Sequence, residues 1–102
     1  MQDFIIAKRE QIAELCRTHH VRSLSIFGSA LREDFDPARS DVDVIVEFDE
    51  MPLEEYSDNK WSLHDHLVAI FQREVDLLTW QSVRNPYIRD EIEHSHEMLY
   101  AA

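Results

Sequence analysis

Apolar positions first recur at helical spacing. Ile5, Ile12, Leu15 and Cys16 line one side of a stretch from about Asp3 to His19, with Lys8, Arg9, Glu10 and Glu14 around them, which predicts an amphipathic helix. Val21 to Phe27 predicts a strand that ends at Gly28. Ser29 to Asp34 predicts a short helical turn, broken at Phe35-Asp36-Pro37 because proline disfavours helix in the residue before it. Asp41 to Phe48 alternates, with Val42, Val44 and Val46 on one face and Asp41, Asp43 and Ile45 on the other, the period of a strand. A polar loop with Pro52 follows. Leu63, Leu67, Ile70 and Phe71 then mark a second amphipathic helix from about Lys60 to Gln72. Val75 to Thr79 predicts a third strand. Asn85-Pro86 reads as a capped helix start, with Ile88, Ile92, Ser95 and Leu99 on one face of a last helix and Tyr100 packing that helix on the sheet.

This order is helix, strand, strand, helix, strand, helix. The connection between the first two strands is about a dozen residues, which suits an antiparallel pair; a helix separates the second and third, which suits a parallel right-handed crossover. The expected fold class is α/β: a small mixed sheet of three strands, or slightly more, with packed helices. The expectation is one domain over residues 1–102. In this topology Gly28, Ser29, Asp41, Asp43 and Asp76 converge at one end of the sheet.

Charge narrows the function. A net charge of −11 disfavours direct nucleic-acid binding through a broad basic surface, and fits a basic protein partner or plain solubility. Cys16, the only cysteine, allows no intrachain disulfide; it reads as a core thiol in a reduced, cytoplasmic setting. No apolar stretch approaches about 18 residues, so no membrane span is expected.

Gly28 is the only glycine in the chain, and it precedes Ser29 at a strand end. A chain that otherwise avoids glycine needs it where a Cβ would clash or the backbone turns sharply. Asp41 and Asp43 point to one face, and two carboxylates that close repel unless a cation lies between them. Magnesium suits such a pair, because it completes its shell with phosphate oxygens and water. Asp76 supplies a third carboxylate from the neighbouring strand. Its place within Val75-Asp76-Leu77-Leu78 suggests a costly buried charge. Three carboxylates can hold two metal ions roughly 3.5–4 Å apart, the arrangement used in phosphoryl-type transfer. Ser29 and adjacent amides would hold the outer phosphates of a nucleoside triphosphate, with a charge-assisted contact from Arg32. The paired histidines read as helix-surface residues. Trp61 and Trp80 read as core or rim packing, with Trp80 placed to edge an acceptor surface.

Ile26-Phe27-Gly28-Ser29, Arg32, Ser40-Asp41-Val42-Asp43-Val44-Ile45-Val46 and Val75-Asp76-Leu77-Leu78-Thr79 together resemble the minimal nucleotidyltransferases (MNT domains) of the DNA polymerase β superfamily. The stretch from Pro86 to Ile92 and on through Leu99-Tyr100 is similar to that family's final helix. The resemblance implies a nucleotidyltransferase fold like the polymerase β palm. It implies a triphosphate bound by Gly28 and Ser29, with Arg32 and Ser40 in the nucleotide-binding set. It implies metals held by Asp41, Asp43 and Asp76, with Asp76 also helping to activate the acceptor hydroxyl. Relatives often carry glycine after the arginine, where this chain has Glu33. Many relatives of this size are antitoxins paired with a HEPN-domain ribonuclease toxin, so the resemblance implies AMP transfer from ATP-magnesium to a tyrosine of such a toxin. The alternative is an antitoxin that neutralises its toxin by contact alone. A free-standing transferase for small molecules is disfavoured by size.

Overall fold

The computed structural model describes residues 2–31, 36 and 40–102, with the side chain of Ser29 also outside the described set. Its sheet has four strands in the order β3-β2-β1-β4. They are β1 (Val21–Phe27), β2 (Val42–Phe48), β3 (Val75–Thr79) and β4 (His96–Ala101). The helices are α1 (Asp3–Ile6), α2 (Arg9–Thr18), α3 (Leu53–Phe71) and α4 (Pro86–His94). As the sequence predicts, β1 and β2 are antiparallel and β2 and β3 are parallel. No described helix is long and apolar enough to cross a membrane.

Side-chain alternation divides the sheet into two faces. Val42, Val44 and Val46 of β2 join Leu24 and Ile26 of β1 in the main core, against Ile5, Ile12, Leu15, Leu63 and Leu67. An irregularity between Val21 and Ser23 shifts the phase of β1, so that Val21 also enters this core. Ile45 faces the other way, into a smaller cluster with Val83 and Ile92, joined by Phe27, Leu78 and Trp80. Cys16 is buried in the main core, and burial pushes its thiol pKa up to about 12. It is a packing group with no thiolate character near neutral pH.

Four local expectations change. The first helix is two pieces: the Lys8 N–H bonds to the Ile5 carbonyl at 3.1 Å, a tightened turn that separates α1 from α2. Packing orients α1, since Phe4 meets the Phe71 ring edge-on at 6.2 Å and the Arg73 guanidinium lies 4.3 Å from the Phe4 ring centre. The second helix starts directly after Pro52, several residues before the expected Lys60. Its first turns are solvated, Leu53 being 80% exposed, so no apolar stripe announces them. The acidic Glu54 and Glu55 of the first turn suit a helix N-terminus instead.

The largest correction is at the C-terminus. The Asn85 side chain caps α4 as expected, accepting from the Tyr87 N–H at 2.9 Å with proline at the start. The helix then ends at His94, and the residues from His96 form β4, antiparallel to β1. Leu99 and Tyr100 therefore lie on a strand. Leu99 fits helical spacing from Ile92, yet pairing with β1 satisfies a row of backbone groups that would otherwise stand open at the sheet edge. Finally, the predicted turn from Ser29 to Asp34 is observed as a 3-10 turn over Gly28–Leu31. Its continuation, with Arg32 and the break at Phe35 and Pro37, lies outside the described residues.

Candidate active site

The site begins where β1 ends. Phe27 pairs with Asp43 across the β1–β2 ladder, and Asp43 pairs with Asp76 across the β2–β3 ladder. Gly28 leaves the strand with a positive φ of 69°. A Cβ built there would stand 2.6 Å from Oδ2 of Asp43. The sole glycine is therefore favoured twice, by a left-handed backbone and by a carboxylate that a side chain would displace.

Asp41, immediately before β2, shares the face of Asp43 by strand alternation. Asp76 shares it too, since register partners in a sheet point the same way. The three carboxylates thus stand on the face that carries Ile45 and Leu78, at one end of the sheet. Asp43 is half-buried, while Asp41 and Asp76 are exposed. The expectation of a costly buried charge at Asp76 is therefore wrong. Val75 and Leu77 point into the main core, and Asp76 faces out on an edge strand between them.

The other predicted residues divide. Ser40 donates its N–H to the Asp36 carbonyl at 2.8 Å and accepts the Asp36 N–H on its hydroxyl at 3.1 Å. These bonds tie Ser40, the neighbour of Asp41, to Asp36. Ser29 lies in the turn that follows β1; Arg32 lies outside the described residues. Trp80 sits at the far end of β3 from Asp76, packed on the smaller cluster, with the Arg89 guanidinium 5.5 Å from its ring centre.

Among the described residues, no three carboxylate, imidazole or thiol groups already stand arranged around a metal position. The donor set nevertheless fits magnesium chemically. All three groups are hard oxygen donors, two are solvent-exposed, and all share one face of one sheet end.

Two hollows flank the carboxylates, and sequence reasoning anticipated neither. One, of about 370 Å³, lies between the Gly28 turn and α4, walled by Phe27, Leu31, Ile88 and Ile92. The other, of about 360 Å³, runs between α3 and β3, with Tyr56, Lys60 and His64 on one side and Asp76 on the other. The four-residue spacing of Tyr56, Lys60 and His64 marks a helix stripe, but nothing in the sequence says what that stripe faces.

Residues 8–99 match the family described as nucleotidyltransferase domain. A Methanocaldococcus jannaschii protein with the provisional name protein adenylyltransferase is 35% identical over 98 residues, covering 88% of this chain and 94% of that one. Among solved structures, a chain of a toxin–antitoxin complex with AMP-PNP superposes with a TM-score of 0.66 at 19% identity, over 92% of this chain and 73% of that chain. A chain from a complex of tri-AMPylated Shewanella oneidensis HEPN toxin with MNT antitoxin gives 0.62 at 18% identity, over 95% of this chain and 72% of that chain. The match to the domain family spans nearly all of the sheet, including both strands that bear Asp43 and Asp76, and the chain belongs to the nucleotidyltransferase domain family.

Proposed function

We propose that this chain is a protein adenylyltransferase that moves AMP from ATP to a hydroxyl, that of a tyrosine, on a HEPN-domain ribonuclease toxin, and so acts as its antitoxin. The observation that carries this reading is the contact at Gly28. A glycine whose Cβ position lies 2.6 Å from a carboxylate oxygen, with a second carboxylate as that aspartate's register partner, supports a turn whose bare backbone can cradle phosphates. The relative named for protein adenylyl transfer and the complexes with an ATP analogue and an AMPylated toxin support the same chemistry.

Gly28 and Ser29 present the turn's backbone to the triphosphate, with Arg32 and Ser40 as further nucleotide contacts. Asp41, Asp43 and Asp76 would hold two magnesium ions, which would offset phosphate charge and favour loss of the acceptor proton. The acceptor oxygen bonds to the α-phosphorus, pyrophosphate leaves, and Asp76 takes the hydroxyl proton. Asp76 suits that role because it is exposed and lies on an edge strand, apart from the strand that carries Asp43. A net charge of −11 disfavours nucleic acid as the acceptor, and a cytoplasmic setting fits the reading.

Intact mass spectrometry of a co-expressed HEPN partner tests the reading. Its mass should rise in AMP-sized steps with the wild-type chain. With Asp76→Asn, transfer should fall by about a hundredfold or more while ATP affinity stays within a few-fold, the scale of losing a positioned acid–base group. An unmodified partner that is still silenced would establish contact-only neutralisation instead.

A further inference from the structure

β3 is an edge strand, and α3 runs beside its open side. The phase of its ladder follows from one bond: the Val42 N–H donates to the Glu74 carbonyl at 3.1 Å. In a parallel pair alternate residues face the neighbour, so Asp76 bonds toward β2, while the N–H and C=O groups of Val75 and Leu77 point outward. The Val75 carbonyl is met by the His64 imidazole, Nε2 donating at 3.1 Å. Leu77 lies further along the outer edge, beyond that contact.

The groove here has two kinds of wall. One is strand backbone from Val75 to Leu77; the other is the α3 stripe of Tyr56, Lys60, Trp61 and His64. Trp61 is 66% exposed, and its ring stands edge-on to His64 at 5.8 Å and 85°. An exposed aromatic ring lining a groove, beside a strand edge where the Leu77 backbone groups face outward, suits one type of ligand. It must offer backbone donors and acceptors at strand spacing, and an apolar side chain for the ring. An extended polypeptide does both.

Register gives the match to the chemistry. A residue added opposite Asp76 shares its face, because register partners across a sheet point the same way; Asp43, Asp76 and the added residue then form one row. The residues on either side of it point to the opposite face, into the groove beside Trp61. We propose that the outer edge of β3 is the docking track for the acceptor segment, an extended stretch that sets its hydroxyl residue opposite Asp76 and an apolar neighbour against Trp61. This rests on the transferase reading above and adds how the acceptor is recognised. β3 offers only Val75–Thr79, so the added pairing is short, which suits a substrate that must leave.

The test uses the full chain and its co-purified HEPN-domain partner. Trp61→Ala should lower kcat/KM for the partner by about tenfold or more, mostly through KM, with magnesium-dependent ATP affinity within about twofold, and Trp61→Phe should recover most of the loss. Unchanged kcat/KM in Trp61→Ala overturns the proposal. Hydrogen exchange reads the docking even if no AMP is transferred, and so separates it from the transferase reading. The partner should slow exchange across residues 75–79, in wild type and in Asp76→Asn alike. No added protection overturns the track, as does protection that appears with rising concentration of the chain alone, which would make this edge a self-association surface.

Discussion

Replacing Gly28 with alanine tests the close approach on which the site reading rests. Two separate penalties arise. An alanine held at a φ of 69° pays the left-handed cost of about 1–2 kcal/mol, offset by about 0.4–1 kcal/mol from a less flexible unfolded chain. The new Cβ also meets the Asp43 carboxylate at 2.6 Å. That oxygen is the end of a side chain, so it can swing aside, at about 0.5–1.5 kcal/mol for a displaced rotamer. The net loss should be about 2 kcal/mol, lowering Tm by roughly 10 °C in a domain of this size. The two penalties separate in a double-mutant cycle with Asp43→Ala. Removing the carboxylate leaves only the Asp43 Cβ, 3.6 Å away, which is ordinary contact. In that background Gly28→Ala should keep the backbone cost and lose the steric one, a coupling of about 0.5–1.5 kcal/mol by urea unfolding. Equal costs in both backgrounds would mean that Asp43 does not lie over Gly28, and the site as described would be wrong.

Asp41→Asn with Asp43→Asn should abolish magnesium-dependent ATP binding by calorimetry while leaving Tm unchanged or slightly higher, since like charges are removed; a large fall in Tm would make these carboxylates structural. Cys16 has its pKa raised to about 12 by burial, so its thiolate forms more readily in the unfolded chain. Stability from this group is complete below about pH 9 and is lost at about 1.4 kcal/mol per pH unit as pH rises toward 12; Cys16→Ala should remove that component from alkaline unfolding curves, and identical slopes would contradict the buried thiol. Leu99→Ala should cost about 2–4 kcal/mol and Met98→Ala, 49% exposed, under about 1 kcal/mol; similar small losses at both would argue against β4 as placed.

Three strands were legible because their apolar residues serve the sheet alone. In β2 the alternation of valines with Asp43 and Ile45 also tells which face the carboxylate takes. The sole glycine marked a constrained backbone, but the group that constrains it, an aspartate on another strand, is a tertiary fact. Periodicity failed where burial does not follow it. The first turns of α3 touch little of the core, so Leu53 and Glu54 carry no pattern. At the C-terminus Ile88, Ile92 and Leu99 fit one helical face, yet Leu99 reaches the main core from a strand whose partner lies far away in sequence. At Asp76 the reason is local: apolar neighbours do not imply burial where alternate residues on an edge strand face solvent.

The placement of β4 beside β1 bears on how the molecule assembles. β1 and β2 are joined by a short connection, and β2, α3 and β3 follow in chain order, so each of these pairings closes a modest loop. The last pairing joins Ser23 to Ala101, about three quarters of the chain apart. Loop closure over that separation is slow, and contacts of this kind dominate folding times. β1, β2 and β3, which carry Gly28, Asp43 and Asp76, can therefore pair before the sheet is complete, with β4 docking late along β1. Mutations in β4 should then speed unfolding more than they slow folding, so the half-life of the native state depends on a strand that carries none of the proposed catalytic residues.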